Sequence, residues 1–126
     1  MGTDTDGADT PTSVPEMLVP IVRRLVHKLI EGEYEDLIQS GVAYGWTPER
    51  LTAYITQMEH DDSAPLTDLP DAFFEKDDTT LALGGGRFSV WVGLWTTRGP
   101  SAYSLIIDFE PAPDGFKAYF ENLEVM

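Results

Sequence analysis

The sequence of 126 residues contains no cysteine. This absence excludes disulfides, thiolate metal ligands and a cysteine nucleophile. Basic residues are scarce as well: eight lysines and arginines accompany 22 acidic residues, and the net charge at pH 7 is −14. A chain with this charge repels nucleic acid and anionic membranes, so we expect neither as a partner, and we expect any electrostatic partner to be basic.

Long apolar runs are also missing. No stretch approaches the roughly 18 residues that cross a bilayer. The opening residues, MGTDTDGADTPTS, have neither the basic nor the apolar region of a secretion signal. We therefore expect a cytoplasmic protein.

The sequence has no recognisable catalytic motif. GGGR at 84–87 has neither the lysine nor the hydroxyl of a phosphate loop and predicts a hairpin turn instead. Ser101, in GPSAY, lacks the second glycine of a nucleophile elbow. His60 precedes two aspartates, but adjacent residues rarely converge on one ion, and no second histidine stands at ligand spacing. We expect no metal and no cofactor, and we favour a protein without catalytic activity.

The first half of the chain has the periodicity of helices. Residues 1–12 are small, polar and acidic and predict a disordered tail, whereas residues 13–126 predict a single domain. Apolar residues then recur at helical spacing in three segments, of which the first ends at Gly32. The third begins at Thr47, which can cap it, with Pro48 in its first turn.

From Thr79 onward the apolar period becomes two. This pattern predicts four strands, TTLAL, RFSVWVGLWT, SAYSLIIDFE and GFKAYFENLEV. One face becomes uniformly apolar when Val92 pairs with Leu105, and the next hairpin then places Asp108 opposite Lys117. We predict an α+β fold, with three N-terminal helices packed on that face of a four-stranded antiparallel meander, and with the third strand paired on both sides.

The same register places both strand tryptophans on the other, outer face. This face then carries two rows of side chains: Trp91, Ile106 and Tyr119 in one, and Trp95, Ala102 and Leu123 in the other. Such a patch is larger than solvent exposure usually tolerates, so we expect something to cover it. The candidates are the chain's own acidic segment (residues 59–78), another chain, including a second copy in a homodimer, or a ligand.

The acidic segment contains eight acidic residues and one lysine. It is interpreted either as a solvated connector or as a loop that meets a cationic partner. Its carboxylates that we consider for partner contact are Asp61, Asp62, Asp77 and Asp78.

The end of the chain resembles a known type of domain. LWTTRGPSAYSLIIDFEPAPDGFKAYFENLEVM is similar to the C-terminal part of an uncharacterised family of small bacterial domains. In that family an L-W-T strand end, a short polar turn, a strand opening with serine and a closing V-[LM] follow an N-terminal helix. Ala102 stands where the family tends to carry an acid. The layout also resembles nuclear-transport-factor-like and cystatin-like folds, which host enzymes, small-molecule binders and toxin-immunity proteins.

Two functions remain open. The first is a non-catalytic binding protein, an inhibitor or immunity-type partner of a basic protein, which the charge and the aromatic patch favour. The second is a nuclear-transport-factor-like enzyme or small-ligand binder, with a pocket between helices and sheet that uses Tyr54, Tyr103 and Asn122. A filled core favours the first, whereas a deep cavity with a buried acid or histidine favours the second.

Overall fold

The computed structural model describes residues 11–125. The helices are α1 (Val19–Ile30), entered through a short 3-10 turn (Glu16–Leu18), α2 (Tyr34–Gln39), α3 (Pro48–Asp62) and α4 (Asp71–Glu75). The strands are β1 (Leu66–Thr67), β2 (Thr80–Gly84), β3 (Arg87–Thr96), β4 (Gly99–Ala112) and β5 (Gly115–Val125). The predicted α+β class is confirmed, but the described residues form four helices and five strands instead of three and four.

The two additional elements, β1 and α4, both lie in the acidic segment. They are too short to produce a periodic apolar pattern, and β1 is a strand only because Leu66 pairs with Thr96. Of the predicted tail, residues 1–10 lie outside the described residues, whereas Thr12 forms an antiparallel bridge with Thr80.

The sheet is antiparallel, in the order β1-β3-β4-β5, and β2 also pairs with β3. β4 is paired on both sides, as predicted. Glycines make the predicted turn between β2 and β3, where Gly85 and Gly86 have φ angles of 65° and 80°. A two-residue hairpin turn that matches the twist of its strands needs this left-handed backbone, which glycine adopts without steric cost.

The register of β3 with β4 is confirmed over most of its length. Val92 pairs with Leu105, and Trp91 pairs with Ile106. Beyond Gly93, however, the register shifts, and Trp95 pairs with Pro100 instead of Ala102.

Ser101 fills this irregularity with its side chain. Its hydroxyl donates to the carbonyl of Leu94 (2.8 Å) and accepts from the N–H of Tyr103 (3.1 Å). Both main-chain groups thereby gain a hydrogen bond where the ladder is irregular. The bulge depends on this side-chain contact, which the alternation of apolar residues does not reveal.

The predicted register of β4 with β5 is wrong by two residues. The turn consists of two residues instead of four, so Ala112 pairs with Gly115. Consequently Lys117 lies opposite Glu110, and Asp108 lies opposite Tyr119. A shift of two changes every partner but leaves each side chain on its face, and for that reason the apolar pattern did not reveal it.

A further register shift follows between Ile106 and Ile107. On β5, Phe120 pairs with Ile107 and Asn122 pairs with Ile106, so β5 has one extra residue at this point. This bulge reverses the faces of the end of β5. Leu123 pairs with the fully buried Leu105 and packs against the core, so its predicted place on the outer face is wrong.

The core lies between the helices and the inner face of the sheet. Its helical side is formed by Leu18, Val22, Leu25, Leu29, Leu51 and Met58, and its sheet side by Val90, Val92, Leu105, Ile107 and Phe109. These side chains are all at most 3% exposed. Val92 therefore faces the core and Trp91 the outer face, as the register predicted.

Candidate functional site

The outer face of the sheet exposes large apolar side chains. Leu81, Leu83 and Trp91 are 40%, 44% and 43% exposed, and only Met17 and Tyr44 are comparable among the described residues. Leu81 pairs with Ser89, which places it on the same face as Trp91, two residues further along β3. We call this surface the tryptophan face: Leu81, Leu83, Trp91, Trp95 and Ile106.

A groove opens within the tryptophan face where β3 has no side chain. Gly93 lies between the two tryptophans, and a Cβ atom added to it would meet no other atom within 4 Å. The groove has a volume of about 370 Å³. We call it the Gly93 groove; it is lined by Phe73, Lys76, Asp78, Thr79, Trp91, Gly93, Trp95, Pro100, Ser101 and Ser104.

The acidic segment covers the tryptophans only in part. Phe73, which is buried against the core, together with Lys76 and Asp78, forms one wall of the groove. Trp95 is half-buried and packs against the core, whereas Trp91 remains 43% exposed. The predicted cover therefore encloses one side of the groove and leaves the tryptophan face open.

The edge of β3 is also open at the groove. The N–H of Trp91 donates to the carbonyl of the residue before β2 (2.7 Å), and the N–H of Thr97 donates to the carbonyl of the residue before β1 (3.0 Å). Both N–H groups therefore point to the same edge of β3, the edge opposite β4. Because main-chain groups alternate along a strand, the N–H and C=O of Gly93 point to this edge. Pairing with β2 ends at Val90 and pairing with β1 starts at Trp95. In the part of the chain that the structure describes, neither strand pairs with Gly93.

Acidic hollows lie at both ends of the tryptophan face. Beyond Pro100, one hollow contains Asp61, Asp62, Ser63 and Arg98. At the opposite end the other is lined by Leu83, Arg87, Asp108, Phe109, Glu110, Tyr119 and Glu121. Each contains more carboxylates than basic groups, so a cation that approaches the face is attracted from both ends.

Asp61 and Asp62 also connect α3 to the sheet. The Tyr103 hydroxyl donates to Asp61, which accepts a second hydrogen bond from Gln57 (2.8 Å). Thr96 donates to Asp62 (2.9 Å). The bond from Tyr103 holds the pKa of the Asp61 carboxyl below its usual value, and the same bond raises the pKa of Tyr103. Both acids were predicted to lie at a partner surface, and these internal contacts were not predicted.

The remaining predicted residues are dispersed. Ile106 lies opposite Trp91, as predicted, but Tyr119 lies beside Asp108 and donates to Glu110 (3.1 Å). Asp77 is exposed and adjoins Asp78 at the groove wall. Leu81 and Leu83 were not among the predicted site residues, although the segment TTLAL has two leucines at the spacing of one strand face.

Of the three residues that the alternative function placed around one pocket, two contact each other and the third lies elsewhere. Tyr54 and Tyr103 pack edge to face, with ring centroids 5.2 Å apart, and the Tyr54 hydroxyl donates to Ser104 (3.0 Å). Asn122 lies elsewhere, exposed and paired with Ile106. Within residues 11–125 no group of three histidines or acids could hold a metal ion. No helix in that range has the length and apolar character needed to span a membrane.

Residues 26–126 match the family model of a domain of unknown function, DUF7668. The match includes the end of α1 and all five strands. It agrees with the expectation of an uncharacterised family. No curated protein and no solved structure matches the chain.

Proposed function

Since the chain belongs to the DUF7668 family, whose function is unknown, we propose from its geometry that it is a non-catalytic domain that binds a basic protein. The observation that carries this proposal is the tryptophan face, where Trp91 is 43% exposed between two acidic hollows. An inhibitor or immunity-type role suits such a domain, because that role requires occupation of a partner's basic surface and no chemistry.

The apolar and the charged groups of this surface contribute differently to binding. Removing an exposed indole and two leucines from water supplies affinity, and tryptophan is among the residues that dominate interface energetics. The surrounding carboxylates attract a basic partner and orient its approach, which affects the association rate more than the final affinity. A partner with a basic rim and an apolar centre is complementary to both features.

A second copy of the chain is a poorer occupant. In a two-fold dimer the same patch contacts itself, so the acidic hollows of the two copies would adjoin each other. The net charge of −14 adds repulsion over the whole surface. We therefore favour a basic partner over the homodimer that the sequence also suggested.

The alternative of a pocket enzyme or small-ligand binder has less support. Its proposed polar groups do not line one cavity, because Tyr54 and Tyr103 pack together while Asn122 is on the outer face. Both histidines, His27 and His60, are exposed.

Photo-cross-linking in the cells that make the protein tests the proposal. A photoreactive amino acid replaces Leu83, and in a matched control it replaces Tyr44, which is 84% exposed and lies between α2 and α3. We expect the photoreactive residue in place of Leu83, but not the one in place of Tyr44, to form a cross-link to a basic protein. The purified partner should bind the wild type more weakly as salt increases, and Trp91→Ala should weaken binding by at least about tenfold.

Three results would contradict the proposal: equal capture from both positions, no capture at all from position 83, or equal affinity of the partner for wild type and Trp91→Ala. Size-exclusion chromatography of the isolated protein supplies a further check. A concentration-dependent dimer that Trp91→Ala abolishes would assign the face to a second copy instead.

A further inference from the structure

The Gly93 groove presents aromatic surface on both sides of an empty position. Gly93 lies two residues from each tryptophan, about 6.6 Å along the strand. Both indoles line the groove, and no side chain of β3 lies between them. A cation above an indole ring is attracted by the electron density of the ring face, and this attraction increases when water is excluded. The groove can therefore hold one long side chain with a cationic end.

The main chain of Gly93 adds a second means of recognition. Its N–H and C=O point to the open edge between β1 and β2 and line the same groove. Because the residue before β2 already bonds Trp91 and β1 already pairs with Trp95, this opening is one residue long, so it can take one hydrogen-bonding group of a partner but not an added strand.

The charges around the groove determine which side chain fits. Asp78 and Lys76 both line the groove, and Asp77, which lies between them in the chain, is exposed. Beyond Pro100, two further carboxylates accompany Arg98. The groove lining itself holds one carboxylate and one amine, but the adjoining hollow holds two carboxylates and one guanidinium and the net charge of the chain is −14, so the surroundings favour a cation over an anion.

From these three observations we infer that the Gly93 groove anchors a lysine or arginine side chain of the basic partner. This inference rests on the proposed function and specifies the contact by which the partner is held. The side chain lies over Gly93 between Trp91 and Trp95, with its charge near Asp78.

Titration of the full-length, 15N-labelled protein with short peptides tests the inference. The probe is acetyl-Thr-Val-Lys-Val-Thr-amide, and matched peptides carry leucine or glutamate at the centre. We expect the lysine peptide to shift the amide signal of Gly93 and the indole signals of Trp91 and Trp95. The signal of Trp46, which lies before α3 with the Arg50 guanidinium over its ring, should stay unchanged. Affinity should decrease from lysine to leucine to glutamate.

Substitutions at the groove make the test specific. Gly93→Val fills the groove without strain, because Gly93 does not have a left-handed φ and its Cβ has open space. It should weaken lysine-peptide binding by at least about tenfold. Gly93→Ala is the smaller variant if the valine lowers the melting temperature. Asp78→Asn should weaken binding, whereas Lys76→Ala should strengthen it by removing a competing cation.

The inference is overturned if the glutamate peptide binds as well as the lysine peptide, if Lys76→Ala weakens binding, or if Gly93→Val leaves it unchanged. Absence of lysine-peptide binding at millimolar concentration overturns it as well. The cross-linked partner separates this failure from failure of the proposed function. If Trp91→Ala weakens binding of the partner and Gly93→Val does not, the tryptophan face remains the binding surface and only the assignment of the groove is wrong.

Discussion

Introducing the same charge at two adjacent residues of β3 tests the orientation of the whole sheet. Val92 is fully buried between Leu105 and the helices, whereas Trp91 is 43% exposed on the outer face. Val92→Asp forfeits the burial of a valine, about 1.5–3 kcal/mol. It also leaves an uncompensated carboxylate in the core, which costs about 3–5 kcal/mol more. The total is comparable with the roughly 5–15 kcal/mol that stabilises an ordinary domain.

Trp91→Asp should be far milder. Rather more than half of the tryptophan is buried. Deleting a fully buried aromatic side chain costs about 3–5 kcal/mol, and no closed cavity forms at an open groove, so we expect about 2 kcal/mol or less. For a domain of this size that corresponds to a decrease in melting temperature of up to about 8 °C.

Circular dichroism distinguishes the two variants. We expect Val92→Asp to lose its near-ultraviolet signal and its cooperative thermal transition at neutral pH, and Trp91→Asp to retain a cooperative transition. Equal destabilisation of the two variants, or a folded Val92→Asp beside an unfolded Trp91→Asp, would refute the assignment of the core and outer faces.

Three further predictions concern the internal contacts. The hydrogen bond from Tyr103 lowers the pKa of Asp61, so the stability that it contributes is present above the usual pKa of an aspartate and is lost as the pH falls through the lowered pKa of the folded state. Tyr103→Phe should therefore show a smaller decrease in the free energy of unfolding by urea between neutral and acid pH than the wild type. An equal decrease in the two proteins would contradict this. Gly86→Ala should destabilise the protein by about 1 kcal/mol or more, because φ is 80° and the new Cβ would lie 3.0 Å from a proline ring. As a control, Gly93→Ala should unfold at nearly the wild-type temperature. Similar melting temperatures for the two variants would contradict the turn geometry. Ser101→Ala should lower the free energy of unfolding by about 1 kcal/mol, because it removes the hydroxyl that bridges the bulge. An unchanged free energy in chemical unfolding would contradict this role of the hydroxyl.

Local features of the fold were readable from the sequence because each depends on near neighbours. Thr47 accepts a hydrogen bond from the N–H of Arg50 (3.1 Å) as the predicted helix cap. The turn at 84–86 requires left-handed backbone, and three consecutive glycines predict such a turn because glycine adopts this backbone readily. The pairing of Val92 with Leu105 followed from alternation, because an adjacent register would bury polar side chains.

The site was only partly readable, for a related reason. The sequence placed Trp91 on the outer face, because this requires only its alternation with Val92. It could not place Leu123 or Asp61. The face of Leu123 depends on a bulge in β5, and the contact of Asp61 depends on how α3 meets Tyr103, 42 residues away in the chain.

Composition and periodicity by themselves determined the fold class, the acidity and the division of β3 into a buried and an outer face. These properties depend on the hydrophobic effect and on charge, both of which are nearly additive over residues. The tertiary structure alone decided the open edge at Gly93 and the groove between the tryptophans. Both exist because β1 and β2 stop short of each other along β3, and that gap depends on long-range pairing between segments whose sequences contain no signal for it.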